Sequence, residues 1–383
     1  MTQAPDFEDI RSYYDSEYRS QLTRLLTDRE FIDTVDGMFG NLKRRFLFFK
    51  AQRTNNADEL QRKIFTRLIG RLVAGQGSEL TCDFSSIPSV SGGWLFISNH
   101  RDIVLDSAIL DILLIGNGGT GAEIAIGDNL LAKPWIERLV RINHSFIVKR
   151  SVESPSEFLK VSGTLSAYIR SIITENGRPV WLAQREGRAK DSNDLTQKSL
   201  LKMLALSGAG EADSLKELHI VPLAISYEYD PCDWLKAMEF QLKRDNPDYR
   251  KTRENDLLNM KTGIMGYKGR IHYQSAPCID GSIGDIGMSG TRNSRLEKIA
   301  GLIDAGIHAN YRIYGSNFIA YDMLNGGDVM KPHYSSEERR KFEEYLNSRI
   351  ALIQIPNPDI PFLRGKLLEM YANPLINHLL ATR

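Results

Sequence analysis

Short apolar segments alternate with helical patterns from residue 94 to residue 276, and this alternation limits the folds open to the chain. Apolar or β-branched residues bounded by turn residues are typical of strands, and we predict six: 94–98, 122–126, 145–149, 180–183, 220–227 and 270–276. Between the third and fourth, apolar residues from Phe158 to Ile172 recur at spacings of three and four, as on one helix face. The pattern predicts an α/β fold with a mainly parallel or mixed central sheet flanked by helices.

The chain divides into three predicted regions. Residues 1–90 form a helical N-terminal cap, with 76–93, which has turn composition, joining it to the first strand. Residues 91–285 form an α/β core, and residues 286–383 form a C-terminal helical region that packs on this core. The C-terminal helices are predicted at 295–311, 336–352 and 362–380, the last interrupted by Pro374.

Composition excludes several classes of protein. The formal net charge of the 383 residues is +1, so no overall field attracts nucleic acid, and we predict no nucleic-acid partner. The three cysteines, Cys82, Cys232 and Cys278, lie far apart without metal-ligand spacing, so they are interpreted as structural thiols in a reducing compartment and no metal is predicted.

No membrane-spanning or secretory segment is expected. Residues 1–20 are acidic and polar, unlike a signal peptide. The apolar run 103–115 contains Asp106 and Asp111 and is shorter than the roughly 20 residues that a span needs. We expect a cytoplasmic protein that is soluble or rests on a membrane surface.

The first motif with chemical potential is His100, which follows the strand at 94–98 and precedes Asp102 and Asp106. A neutral imidazole can take a proton from an alcohol, and a carboxylate on its other nitrogen fixes the tautomer and stabilises the imidazolium. The alternative is a histidine that caps a helix with two acids on its solvated face.

Three further motifs follow in order. Lys149 and Arg150 end a strand and can neutralise a phosphate, unless they form only a solvated strand end. Residues 185–188 read Arg-Glu-Gly-Arg, where glycine allows positive φ or close backbone approach and the arginines can bind an anion; the alternative is a polar turn. Pro222 lies near the start of an apolar strand, where it can simply mark the strand entrance.

The ordered set resembles the glycerolipid acyltransferases, the superfamily of glycerol-3-phosphate and 1-acylglycerol-3-phosphate acyltransferases. That family has a His, four residues and an Asp, then a strand with Phe and a closing Arg, then Glu-Gly with a polar or basic residue, then an apolar strand with Pro. The matching residues here are His100 with Asp106, Phe146 with Arg150, Glu186, Gly187 and Arg188, and Pro222. The resemblance covers about residues 90–280.

The acid of the first motif departs from the family pattern. Leu105 stands where the family has the acid, and Asp106 comes one residue later, so Asp102 is a rival partner for His100. Residues five or six positions apart do not share one face of a regular helix. A non-helical turn must therefore follow His100 if Asp106 is to reach its ring. We favour Asp106 because it stands at the equivalent end of the motif, whereas Asp102 can cap the following helix.

The resemblance implies transfer of a fatty acyl group from acyl-CoA or acyl carrier protein to a hydroxyl of glycerol 3-phosphate or a lysophospholipid, in phospholipid biosynthesis. His100 would be the base and Asp106 its partner, without cofactor, metal or acyl-enzyme. Lys149, Arg150, Arg185 and Arg188 would hold the phosphate, Glu186 and Gly187 would shape the acceptor site, and Phe146 and Pro222 complete the predicted substrate-binding set. The alternatives are O-acylation of a lyso-amino lipid and a lipid-binding protein without catalysis.

Other enzyme classes fit less well. A serine hydrolase would need a Gly-x-Ser-x-Gly elbow, which the sequence lacks. The Gly-x-Gly-x-x-Gly match at 116–121 follows a predicted helix and precedes a strand, the reverse of a nucleotide-binding order, so we predict a loop.

Residues 43–50 combine basic and aromatic side chains, in the order Lys-Arg-Arg-Phe-Leu-Phe-Phe-Lys. Such a segment can lie at a lipid interface, so we predict peripheral attachment to the cytoplasmic face of a membrane. The alternative is an amphipathic core helix with a solvated basic face.

Overall fold

The computed structural model describes residues 6–131, 133–150, 154–287 and 290–383. Within these residues, seven strands form one sheet in the order β1-β7-β6-β2-β5-β3-β4, parallel throughout except between β6 and β7. The strands are Glu79–Asp83 (β1), Leu95–Ser98 (β2), Glu123–Gly127 (β3), Ser145–Val148 (β4), Val180–Ala183 (β5), Ile220–Tyr227 (β6) and Arg270–Ser275 (β7). The predicted α/β class with a mixed sheet is confirmed.

Strand β1 corrects the prediction that residues 76–93 only link the cap to the sheet. It pairs in parallel with β7, from Glu79 opposite Arg270 to Asp83 opposite Gln274. Its residues are alternately exposed and half-buried, because β1 is an edge strand with one neighbour. Such a polar edge strand lacks the apolar run that identified the other six.

The helices of the N-terminal region pack together. They are Asp15–Leu26 (α1), Arg29–Phe39 (α2), Asn41–Ala51 (α3), Ala57–Leu60 (α4) and Thr66–Gly75 (α5), with a π-helical turn, Gln61–Phe65, between the last two. Apolar residues of the cap, including Leu22, Leu25 and Phe31, form a cluster with Ile142 of a later helix. The cap is therefore fixed to the α/β region by burial of apolar surface.

Helices cover both faces of the sheet. Those between β2 and the C-terminal region are Leu105–Gly116 (α6), Pro134–Ile142 (α7), Pro155–Thr174 (α8), Lys198–Leu204 (α9), Glu211–Lys216 (α10), Asp233–Asp245 (α11), Arg253–Met265 (α12) and Asp280–Ile286 (α13). Leu95 and Ile97 of β2 join a core with Ile169 of α8, whereas Phe96 joins a second core with Ile109 of α6. This alternation follows from successive side chains pointing to opposite faces.

The C-terminal helices are Arg292–Ala309 (α14), Gly315–Asn325 (α15), Ser336–Ala351 (α16) and Ile360–Ala381 (α17). Ile299, Ile303 and Ile307 of α14 join the first core. The predicted interruption at Pro374 is wrong, since Pro374 lies inside the continuous helix α17. Buried Tyr371 and Leu375 beside it supply packing that offsets the lost backbone hydrogen bond.

Among the described residues, none of the helices combines the length and apolar character needed to cross a membrane. The glycine-rich segment after α6 is a loop that leads into β3, as predicted.

Candidate functional site

A cavity of about 850 Å³ opens where β2, β5, β3 and β4 end. Its lining includes His100 after β2, Arg185 after β5, Asn129 after β3 and Arg150 after β4. Because these four strands are parallel, their carboxyl ends meet at one edge of the sheet, where α/β proteins commonly bind ligands.

His100 lies at this edge with its ring held on one side by Asp106. Nδ1 of His100 is 2.8 Å from Oδ2 of Asp106, and the histidine side chain is 14% exposed whereas the aspartate is fully buried. A carboxylate only accepts hydrogen bonds, so this contact places the proton on Nδ1 and leaves Nε2 free to accept one. The imidazole ring also lies edge-on to Trp181, with centroids 5.7 Å apart.

The turn after His100 is what brings Asp106 to the ring. Residues 99–104 are not helical, and Asp106 stands in the first turn of α6. Its Oδ2 accepts the backbone N–H of Arg101 at 2.6 Å and of Asp102 at 3.0 Å, while its Oδ1 accepts the hydroxyl of Tyr227 at 3.0 Å. The extra residue in the motif is absorbed by this turn, which wraps around the carboxylate.

Asp102 has a different task. Its Oδ1 accepts the backbone N–H groups of Val104 and Leu105, at 2.9 and 2.8 Å, and so caps the start of α6. Burial, followed by the charge of nearby Asp106, raises the pKa of Asp102. Of the two acids left open by the sequence, the structure pairs Asp106 with His100.

Two arginines present unpaired N–H groups near the cavity. Arg188 donates from Nη2 to Asn259 Oδ1 at 3.1 Å, but within the described residues its buried Nη1 has no hydrogen-bond partner. The buried Nε of Arg185 is likewise unpaired in that part of the chain. Both residues line the cavity, and a buried cationic donor without a partner favours an anionic ligand.

The other predicted polar residues also line the cavity. Arg150 lies 3.2 Å from Glu186, and Lys149 donates to exposed Asp9 at 2.9 Å. Gly187 has φ of 67°, so the turn uses the left-handed conformation that glycine allows.

Phe146 and Pro222, which were predicted from the sequence to belong to the substrate-binding set, do not line this cavity. Phe146 is fully buried in the first core, where its ring packs edge-on to Tyr168 at 5.4 Å. Pro222 is buried in β6 opposite Ile97, and its carbonyl accepts the N–H of Ala276. Both residues support strands whose ends carry the site.

Besides Lys149, three more lysines add positive charge to the lining, and two of them, Lys236 and Lys251, lie outside the sequence motifs. Lys236 donates to Asp230 at 2.5 Å, and Lys251 lies 3.1 Å from Glu239. The third, Lys190, also pairs with Glu239, and burial lowers its pKa to about 8. No local pattern identified Lys236 and Lys251, because α11 and the segment before α12 reach the cavity only through the fold.

No family model and no curated protein matches the chain. Among the solved structures that match the chain is the 1-acyl-sn-glycerophosphate (LPA) acyltransferase, PlsC, from Thermotoga maritima, which is 14% identical over 75% of this chain and 95% of that chain, with a TM-score of 0.39.

Apolar residues complete the cavity wall and come from both faces of the sheet. Residues of the cap and of α6 and α7 supply one part, and residues of α8 and α9 supply another: Phe65, Ile69, Ile112, Ile136 and Leu139, then Val161, Leu165, Leu200 and Met203. Such a cavity can bury a hydrocarbon chain beside a base and an anion-binding group. That combination is suited to chemistry on an amphiphilic molecule.

Proposed function

We propose that the protein is an O-acyltransferase that moves a fatty acyl group from a thioester to a hydroxyl of a phosphate-bearing acceptor. The observation that carries this proposal is the His100–Asp106 pair at the polar edge of a large, partly apolar cavity. A base with a fixed tautomer is what direct attack of an alcohol on a thioester requires.

In the proposed reaction, Nε2 of His100 removes the proton of the acceptor hydroxyl while Asp106 stabilises the resulting imidazolium. The acceptor oxygen bonds to the thioester carbonyl carbon and forms a tetrahedral oxyanion, which the positive charges around the cavity stabilise. As the intermediate collapses, the carbon–sulfur bond breaks and the thiolate takes the proton from the imidazolium. An ester and a free thiol result.

The acceptor phosphate is proposed to bind Arg188 and Arg185, whose unpaired N–H groups face no partner among the described residues. Arg150 joins them, with Glu186 as its anchor, and Gly187 shapes the turn. Lys149 contributes its charge from the cavity rim. Glycerol 3-phosphate and lysophospholipids both provide the required hydroxyl and phosphate, and acyl-CoA or acyl carrier protein would provide the thioester.

Attachment to a membrane surface is part of the proposal. On α3, Phe46 and Phe49 are 56% and 50% exposed, and Leu42 lies on the same helical face. Lys50 and Arg53 stack over these two rings, at 4.3 and 3.8 Å from the centroids. Exposed rings flanked by cations suit the interface of an anionic bilayer, which would also present the lipid acceptor.

An acceptor panel tests the activity. Labelled acyl-CoA and acyl-loaded carrier protein are each supplied with glycerol 3-phosphate, a lysophosphatidate or a lyso-amino lipid, and products are separated by chromatography. We expect acyl transfer to a phosphate-bearing acceptor and its loss in His100→Ala. Transfer only to the lyso-amino lipid would contradict the phosphate-bearing acceptor. Lipid binding without turnover by the wild-type protein would favour a lipid-binding protein without catalysis.

A further inference from the structure

Three side chains with different metal-binding atoms meet at the edge of the sheet opposite the cavity. His219, Cys278 and Asp280 each offer one ligand atom, and these atoms all lie within 4.8 Å of one another. His219 comes just before β6, whereas Cys278 and Asp280 come just after the antiparallel strand β7. The cluster therefore forms where β6 begins and β7 ends.

This edge is remote from His100. Leu95, at the start of β2, pairs with Ile220, the first residue of β6, and His100 follows the far end of β2. At about 3.3 Å per residue, Leu95 and His100 are roughly 16 Å apart. A ligand at His219 would not touch the reacting atoms of the proposed transfer.

Backbone hydrogen bonds hold the cluster in place. Beyond the end of β7, the N–H of Ala276 donates to Pro222 O at 2.8 Å and that of Ile279 donates to Ile220 O at 3.0 Å. Residues 278–280 are thus fixed beside the start of β6. His219 itself has φ of 48°, a conformation that disfavours side chains with a Cβ and tends to occur where local strain serves a function.

The side chains retain capacity for a ligand. Nδ1 of His219 lies 2.6 Å from Oδ2 of Asp280, whereas the buried Oδ1 of Asp280 has no hydrogen-bond partner among the described residues. Cys278 is a free, half-buried thiol. A nitrogen, a sulfur and a carboxylate oxygen thus lie within 4.8 Å of one another.

We propose that His219, Cys278 and Asp280 bind a transition-metal ion, with Zn²⁺ as the best match and water as the fourth ligand. Zn²⁺ takes four tetrahedral ligands from Cys, His and carboxylate groups, whereas Mg²⁺ and Ca²⁺ prefer oxygen alone. On binding, the Cys278 thiol gives its proton to solvent and the His219 proton moves from Nδ1 to Nε2 by exchange with solvent. Nδ1 of His219 and the Asp280 carboxylate then replace their mutual hydrogen bond with bonds to the ion. The ion ties the segment between β7 and α13 to the start of β6, and this role does not depend on the proposed acyl transfer.

Titration of the purified full-length protein with Co²⁺, a spectroscopic substitute for Zn²⁺, tests the site. We expect saturation at one ion per chain, with the visible absorption of tetrahedral Co²⁺ and a near-ultraviolet thiolate-to-metal band, both abolished by competing Zn²⁺. Trp94 gives an independent signal, because its ring centroid lies 6.0 Å from that of His219 and its fluorescence should change on binding.

Single substitutions identify the ligands. Cys278→Ser should remove the thiolate band, while His219→Gln and the near-isosteric Asp280→Asn should each weaken Co²⁺ binding at least tenfold, roughly the cost of losing even an outer-shell partner. Cys82→Ser and His333→Gln are matched controls that change a cysteine and an exposed histidine elsewhere and should leave binding unchanged. No saturable Co²⁺ or Zn²⁺ binding by the wild-type protein, or a thiolate band that survives Cys278→Ser, overturns the proposal.

Discussion

Asp106 binds His100 and the backbone of the turn that follows it with the same oxygen. Oδ2 of Asp106 lies 2.8 Å from His100 Nδ1 and accepts the N–H groups of Arg101 and Asp102. The orientation of the imidazole is therefore coupled to the fold of the turn. Substitutions of Asp106 and of the neighbouring Asp102 should therefore have different effects on activity.

Replacing Asp106 with Asn should reduce kcat by about 10³- to 10⁴-fold, because an amide at Oδ2 either opposes the Nδ1 proton or loses the charge that stabilises imidazolium. Asp102→Asn should reduce kcat less than about tenfold, since asparagine also caps a helix start. Steady-state acyl-transfer assays on both variants, with circular dichroism to check folding, make the comparison. If only Asp102→Asn abolishes activity, the assignment of Asp106 is wrong.

Arg188→Gln should raise the KM for a phosphate-bearing acceptor by about 10- to 100-fold, the cost of about 1.5–3 kcal/mol for a charged hydrogen bond, with a smaller effect on kcat. Glutamine can still donate to Asn259, which keeps the local packing. Lys341→Gln is the matched control, because Lys341 is an exposed residue of α16 outside the cavity lining, pairs with Glu337, and should change KM by less than about threefold. Equal effects of the two substitutions would contradict a specific phosphate contact at Arg188.

The strands that sequence patterns identified are those with apolar runs, such as β5 and β6, because burial on both faces demands them. β1 escaped prediction because an edge strand with alternating exposure reads as a polar loop. The pairing of His100 with Asp106 agrees with the sequence-based preference, although periodicity could not describe the non-helical turn at 99–104.

Motif position did not separate residues that line the cavity from those that support it. Phe146 and Pro222 stand in the predicted motifs but lie in the core, since each occupies a strand that must itself be packed. Lys236 and Lys251 line the cavity from segments without a motif, and only the packing of α11 and α12 brings them there. Such contacts depend on long-range packing that a local pattern does not encode.

Gly263→Ala should destabilise the protein by about 1–3 kcal/mol, because a Cβ at Gly263 would lie 2.0 Å from Asp102 Oδ2 in a packed interior. Moving Asp102 would also disturb the start of α6, so acyl transfer should fall. Gly163→Ala in α8 is the matched control, since a Cβ there meets nothing within 4 Å and alanine favours a helix by about 1 kcal/mol. Urea unfolding measures both, and equal stabilities of the two variants would contradict the close approach of α12.

The double substitution Phe46→Ser and Phe49→Ser should reduce binding to vesicles of phosphatidylcholine and phosphatidylglycerol at least tenfold, since fully burying each ring contributes about 1.5–3 kcal/mol. Phe48 is unsuitable for this test because it stacks on Phe31, with centroids 5.7 Å apart, and belongs to the cap. Val329→Ser removes an exposed apolar side chain elsewhere and should leave binding unchanged. Flotation measures the fraction of each variant that is recovered with the vesicles. If this fraction is undiminished for the double variant, α3 is not the membrane contact.

Asp111 should make the protein less stable as pH rises from about 4 to 7. Burial raises the pKa of this carboxyl to about 7, although it accepts the N–H of Ala122 at 2.8 Å. Between the unfolded value near 4 and the folded value, the native state holds a proton that the unfolded chain releases, so the free energy of unfolding falls with rising pH.

In Asp111→Asn, Oδ1 can still accept from Ala122. Oδ2 of Asp111 accepts Gln61 Nε2 at 3.2 Å, so the new amide needs the Gln61 amide to turn over, which brings Gln61 Oε1, otherwise unpaired in the described part of the chain, to it as acceptor. The stability of Asp111→Asn relative to wild type should therefore increase between pH 4.5 and pH 8, by about 3 kcal/mol. Urea unfolding across this range measures the difference, with Asp33→Asn on the exposed face of α2 as the control. A pH-independent difference for Asp111→Asn would show that Asp111 is ionised in the folded protein throughout.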